Sequence, residues 1–145
     1  MNTAVPDTRP RVMLADDYPG VVSAWQRVLE FSCEIVGSVS TGRAVLETAV
    51  RLSPDVIVLD FNLGRANGLE LCREIKQKAR PTQVVLVSAT VTDELRDAAH
   101  HAGASSFVSK FSGIAELESA IRCAYGDTLH GPQRCDAAGQ ERRGI

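Results

Sequence analysis

The sequence predicts a doubly wound α/β domain: a five-stranded parallel sheet with helices on both faces. Three observations lead there. Apolar runs of strand length alternate with segments of helical period. The runs, such as Val56-Ile57-Val58-Leu59, lack polar alternation, so both sheet faces must be covered. Four of them end in residues able to do chemistry: Asp16-Asp17, Asp60, Ser88 and Lys110.

Strands are expected over 11–15, 34–39, 55–60, 83–88 and 105–109, and helices over 19–31, 42–52, 67–78, 92–102 and 113–125. In the first helix Val21, Val22, Trp25, Val28 and Leu29 recur at helical spacing, and Pro19 suits the first turn. Trp25 is therefore expected in the core. In the last helix Ile114, Leu117, Ile121 and Ala124 form one stripe, and Gly126 is expected to stop it. Five repeats of strand and helix imply right-handed crossovers and the flavodoxin-like strand order 2-1-3-4-5.

Composition narrows the function classes. The 145 residues are enough for one domain with its own core, and 44% apolar with 23% charged is ordinary for a globular protein. A net charge of -2 gives no field favouring nucleic acid. The N-terminus lacks a signal pattern and no apolar run reaches membrane-spanning length, so a cytoplasmic protein without membrane contact is expected. The scattered Cys33, Cys72, Cys123 and Cys135, with no CxxC pair, suggest reduced thiols, with Cys33 and Cys72 packed as small apolar residues.

In the predicted strand order the C-terminal ends of strands 1, 3, 4 and 5 lie along one edge, where ligands bind in open α/β sheets. Asp16, Asp17 and Asp60 then crowd together, and their repulsion calls for a cation. A hard divalent ion with oxygen ligands, Mg²⁺, answers that need. Asp60 is left as a nucleophile toward phosphorus, giving an aspartyl phosphate. Lys110 can neutralise phosphoryl oxygens and the Ser88 hydroxyl can bond one of them. Each residue taken alone has a plainer role. Asp16 or Asp17 can cap the first helix, Ser88 the fourth; Asp60 can be a loop carboxylate and Lys110 a solvated charge. Their shared edge favours the chemical reading. His100 and His101 read as solvated surface, whereas Arg65 in the loop after Asp60 reads equally as a solvated charge and as a residue steering phosphate or a partner.

With those residues in view, the sequence resembles the receiver domain of two-component response regulators, of CheY-like fold and the NarL/FixJ type. Leu14-Ala15-Asp16-Asp17-Tyr18-Pro19, Ser53-Pro54-Asp55-Val56-Ile57, Gly68-Leu69-Glu70 and Ala102-Gly103-Ala104 carry the likeness along with the acidic pair, Asp60, Ser88 and Lys110. The likeness covers the receiver domain, 11–126; the residues before it, 1–10, read as a disordered arm, and the polar stretch 127–145, without an apolar period, as a flexible tail. The resemblance implies that Asp60 accepts phosphoryl from the phosphohistidine of a sensor histidine kinase or phosphotransfer protein. It implies Mg²⁺ held by Asp17, Asp60 and the Asn62 main-chain carbonyl, with Asp16 acting through water. Ser88 and Phe107 take the places of the switch pair. Output is expected through a downstream protein or self-association on the face of helix 4, strand 5 and helix 5, with no direct nucleic-acid binding.

Two positions depart from the family pattern. Gly64 stands where a proline is usual, which suggests a more mobile loop, and Phe111 stands where a cis proline follows the lysine, so a trans bond is expected. Three alternatives remain in view. One is the receiver half of a truncated DNA-binding transcriptional regulator. Another is a Mg²⁺-dependent phosphohydrolase with an aspartyl nucleophile, disfavoured by Asn62 where that family has a second Asp. The third is a binding module that kept the fold without phosphorylation.

Overall fold

The computed structural model describes residues 9–130, 134–135 and 141–142, with side chains through residue 126. Its five parallel strands are β1 (Arg11–Ala15), β2 (Glu34–Val39), β3 (Val56–Asp60), β4 (Gln83–Ser88) and β5 (Ser106–Ser109). They pair in the order β2-β1-β3-β4-β5, every pairing parallel. The helices between and after them are α1 (Pro19–Leu29), α2 (Gly42–Leu52), α3 (Gly68–Lys78), α4 (Asp93–His101) and α5 (Ile114–His130).

Strand alternation sorts the core into two layers. Met13, Ile57, Leu59, Leu86 and Phe107 face α2, α3 and α4, meeting Val45, Ala49, Leu71, Ile75 and Ala99. Val12, Leu14, Val58, Val85 and Val108 face α1 and α5, meeting Trp25, Leu29, Leu117 and Ile121. The central strand β3 is buried along its whole length, so its apolar run serves both layers. Each such side chain removed from water contributes about 1.5–3 kcal/mol. Trp25 belongs to this core, whereas Val28 stays 39% exposed.

The opposite edge of the sheet is tied by Arg11. Its backbone N–H donates to Asp55 Oδ2 at 2.8 Å, and its guanidinium donates to the carbonyls of Leu52 and Ser53, which end α2. A positive φ of 47° at Ser53 closes that helix with a left-handed residue.

Two expectations change. The last helix does not stop at Gly126 but continues to His130. An interior glycine costs only about 1 kcal/mol, and Tyr125 beside it packs on the core. Cys123 is disulfide-bonded, contrary to the expectation of reduced thiols. Separation along the sequence does not prevent pairing, which depends on distance after folding. Cys33 and Cys72 are free and buried as expected, and burial pushes the Cys72 thiol up to about 12. The arm and tail lie largely outside the described residues. Within the arm, Pro10 is buried and its carbonyl accepts from Glu34 N–H at 2.9 Å. Beyond α5, Arg134–Cys135 pairs antiparallel with Glu141–Arg142.

Candidate functional site

The predicted site residues converge on the C-terminal edge of the sheet. The ends of β1, β3, β4 and β5 each close with the same local device. A polar side chain accepts a hydrogen bond from the backbone N–H two residues on, the habit of short polar side chains at turns. Asp16 Oδ1 holds Tyr18 N at 2.8 Å and Asp60 Oδ1 holds Asn62 N at 3.1 Å. Ser88 Oγ holds Thr90 N, and Ser109 Oγ holds Phe111 N, both at 3.1 Å. Neither Asp16 nor Ser88 caps a helix. The N-cap of α1 is Tyr18, without a side-chain bond, and that of α4 is Thr92.

Lys110 crosses this edge. Its Nζ donates to Asp60 Oδ2 at 3.0 Å and stands 2.9 Å from Asp16 Oδ2. Its backbone N–H bonds to the Ser88 carbonyl at 2.9 Å, locking β5 to β4. Among the described residues no peptide bond is cis, so the Lys110–Phe111 bond is trans and still aims the ammonium at both carboxylates. Phe111 itself is 82% exposed.

Asp16 and Asp60 are buried, whereas Asp17 is exposed to solvent. One ligand oxygen from each of Asp16, Asp17 and Asp60 lies within 4.8 Å of the others. Burial raises the Asp60 pKa, with the neighbouring Asp16 charge adding to it. Hydrogen bonds from Lys110 and Asn62 hold it back. Burial alone would lower the Lys110 ammonium, but its pairing with Asp16 and Asp60 outweighs this and leaves its pKa raised. The Lys110–Asp16 contact is ionic without a directed hydrogen bond, so buried Asp16 Oδ2 keeps no hydrogen-bond partner of its own. A buried carboxylate oxygen with an ionic contact but no directed hydrogen bond, beside two more carboxylates, suits a hard divalent cation, and the all-oxygen donor set disfavours zinc or copper.

The loop after Asp60 differs from expectation. Asn62–Leu63 and Ala66–Asn67 form a small antiparallel hairpin, with Gly64-Arg65 at its turn. Gly64 has φ 58° and Arg65 is not in the left-handed region, the pattern of a turn with glycine first. Proline, fixed near -65°, cannot occupy that position, so glycine here sets the geometry of the turn. Arg65 is exposed on it, and His100 and His101 are exposed at the end of α4.

Phe107 is 2% exposed and already turned inward. Its ring lies 6.1 Å from that of Phe61, tilted by 40°, within the range of favourable aromatic pairs. Arg96 of α4 donates from Nη1 to the Phe107 carbonyl at 3.2 Å. Sequence reasoning missed Phe61 and Arg96. Phe61 directly follows Asp60 and was legible as a candidate; Arg96 carries no pattern that separates it from a solvated charge.

The comparisons agree with this geometry. The family model for the response regulator receiver domain matches residues 12–122. The chain belongs to this family. The receiver is 32% identical over 116 residues to the transcriptional regulatory protein LiaR of Bacillus subtilis (strain 168), covering 79% of this chain and 55% of that one. It is 32% identical over 127 residues to a probable transcriptional regulatory protein, NarL, of Mycobacterium tuberculosis (strain ATCC 25618 / H37Rv), covering 84% and 58%. The receiver thus spans a little over half the length of these curated relatives. The solved signal receiver domain of the putative response regulator NarL from Mycobacterium tuberculosis superposes with TM-score 0.75 at 30% identity, covering 81% of this chain and 98% of that one. A two-component response regulator of the LuxR family from Aurantimonas sp. SI85-9A1 gives TM-score 0.78 at 27% identity, covering 82% and 86%. The receiver is a signalling domain of CheY-like fold with an acidic cluster able to hold a metal. Among the described residues no helix is long and apolar enough to cross a membrane.

Proposed function

We propose that this receiver accepts a phosphoryl group on Asp60 from the phosphohistidine of a sensor histidine kinase or phosphotransfer protein. The observation that carries this is the placement of Asp60 between the Lys110 ammonium and the acidic pair at one sheet edge. A carboxylate oxygen of Asp60 forms the bond to phosphorus while the bond from phosphorus to the imidazole nitrogen breaks. The electron pair stays on that nitrogen, which regains a proton from water. Mg²⁺, when held by Asp17, Asp60 and the Asn62 carbonyl with Asp16 acting through water, supplies neutralisation of phosphoryl charge. Lys110 contributes a second positive charge within reach of the acceptor. Ser88 Oγ accepts from Thr90 N–H and so keeps its own hydrogen to donate to a phosphoryl oxygen.

Phosphorylation then acts by shifting a conformational equilibrium. The response falls on the segment between β4 and α4, on α4 itself and on the β5–α5 segment that carries Lys110. Output passes to a downstream protein or to self-association through the face of α4, β5 and α5. The curated relatives are named as transcriptional regulators, which favours gene control as the process served. A phosphohistidine donor or acetyl phosphate should add one base-labile phosphate, dependent on Mg²⁺, seen by intact mass. Labelling that persists in Asp60→Asn would overturn the assignment.

A further inference from the structure

We propose that Gly42 at the start of α2 and Ala66 on the hairpin form a seat that positions the Asn62 carbonyl for the divalent cation. This rests on the receiver reading and adds to it two positioning residues that carry no ligand atom of their own toward the cation. A Cβ placed on Gly42 would lie 2.5 Å from Ala66 Cβ and 3.5 Å from Leu71 Cδ1. Real Cβ atoms do not approach at 2.5 Å, so the missing side chain is what lets α2 and the hairpin meet. Ala66 cannot relieve such an overlap by rotating, since a methyl has no rotamer to change. Only backbone can give.

The hairpin is the side free to yield. α2 is anchored by Val45 and Ala49, both fully buried, and by the Thr41 hydroxyl, which accepts from Ala44 N–H at 3.3 Å. The hairpin has two residues per strand. Its register carries a push on Ala66 straight to the site, because Ala66 pairs with Leu63 and the adjoining Asn67 pairs with Asn62. On its inner side the loop is held by Asn62 N–H on Asp60 Oδ1 and by Gly68 N–H on the Phe61 carbonyl at 2.7 Å. The Gly42 contact supplies the outer support. Neither Gly42 nor Ala66 offers a cation ligand, and the repair by Ala66→Gly separates an effect passed through the hairpin from one passed through the start of α2.

The test is a Mg²⁺ titration followed by amide shifts and Trp25 fluorescence, with thermal melts to confirm folding. Gly42→Ala should weaken Mg²⁺ binding about tenfold, the size typical of losing support behind a ligand. Gly42→Ala with Ala66→Gly removes the overlapping methyl and should restore binding to near the wild-type value. Ala66→Val presses the same contact from the other side and should also weaken binding, which keeps the test open if Gly42→Ala fails to fold. Gly20→Ala, whose added Cβ meets nothing within 4 Å, should leave binding unchanged. Asp60 labelling in Gly42→Ala should need more Mg²⁺ to reach half its final level, with the final level retained. Wild-type affinity in Gly42→Ala, or a loss that Ala66→Gly does not repair, overturns the seat alone. A wild-type chain that neither binds Mg²⁺ nor labels on Asp60 overturns the receiver reading as well.

Discussion

Replacing Lys110 with alanine removes the one cation that touches both buried carboxylates among the described residues. Side-chain exposure is 18% for Lys110, 0% for Asp16 and 5% for Asp60. Truncating one partner of a fully buried ion pair costs about 3–5 kcal/mol, mostly from the charge left behind. Here Asp16 and Asp60 each keep a backbone hydrogen bond, and the lysine reaches solvent, so about 2 kcal/mol is the appropriate size. For a chain of this length that lowers the melting temperature by roughly 4–8 °C. The pH dependence fixes the cause. Burial already raises the folded-state pKa of Asp60, so the folded chain holds that proton more tightly than the unfolded chain does. Stability from this group is present in acid and falls as pH rises through the window between the ordinary carboxylate value and the raised one. Without the ammonium the pKa rises further and the window widens upward. The gap between Lys110→Ala and wild type should therefore be largest near neutral pH and shrink toward about pH 4, where the raised Asp60 carboxyl holds its proton. Thermal melts at both pH values, without added metal, read this directly. Equal melting temperatures near pH 7, or a gap that does not close in acid, would refute the argument.

Phe107→Ala should destabilise the domain by about 3–5 kcal/mol in urea titration, because the ring is buried and leaves a cavity against Phe61. Gly64→Pro should cost more than about 1 kcal/mol and weaken Mg²⁺ binding, since its φ of 58° excludes proline; a neutral result in melts and titration would contradict the turn geometry. Beryllofluoride with Mg²⁺ should shift amide resonances across 91–101 and 107–113 more than those of α2, and uniform or absent change would count against the proposed switch.

The fold was legible because the apolar runs carry so much of it. All five strands fall within one residue of expectation, since unbroken runs such as Val56–Leu59 suit only a strand covered on both faces. The convergence of Asp16, Asp17, Asp60, Ser88 and Lys110 followed from strand order alone. Features that depend on three-dimensional proximity were not legible. The hairpin at Asn62–Asn67 has strands of two residues, too short for any period to register. The inward state of Phe107 depends on a ring contact with Phe61 and on Arg96, a surface charge to any reader of sequence. The unequal burial of Asp16 and Asp17 arises just past the end of β1, where no strand period extends to distinguish them. The continuation of α5 past Gly126 shows packing outweighing a residue's local preference.

The clasp made by Lys110 has a bearing on how the chain comes to be competent at all. β5 and β1 are not neighbours in the sheet; β3 and β4 lie between them. Lys110 and Asp60 stand 50 positions apart in sequence, and Asp16 lies farther still toward the N-terminus. Contacts of such separation form late, after the loop-closure entropy of the intervening chain has been met. A growing chain that has built β1 and β3 holds Asp16, Asp17 and Asp60 but no ammonium to balance them. Assembly of the site is thereby tied to β5, the last strand of the parallel sheet in chain order, which brings the charge that balances the carboxylates.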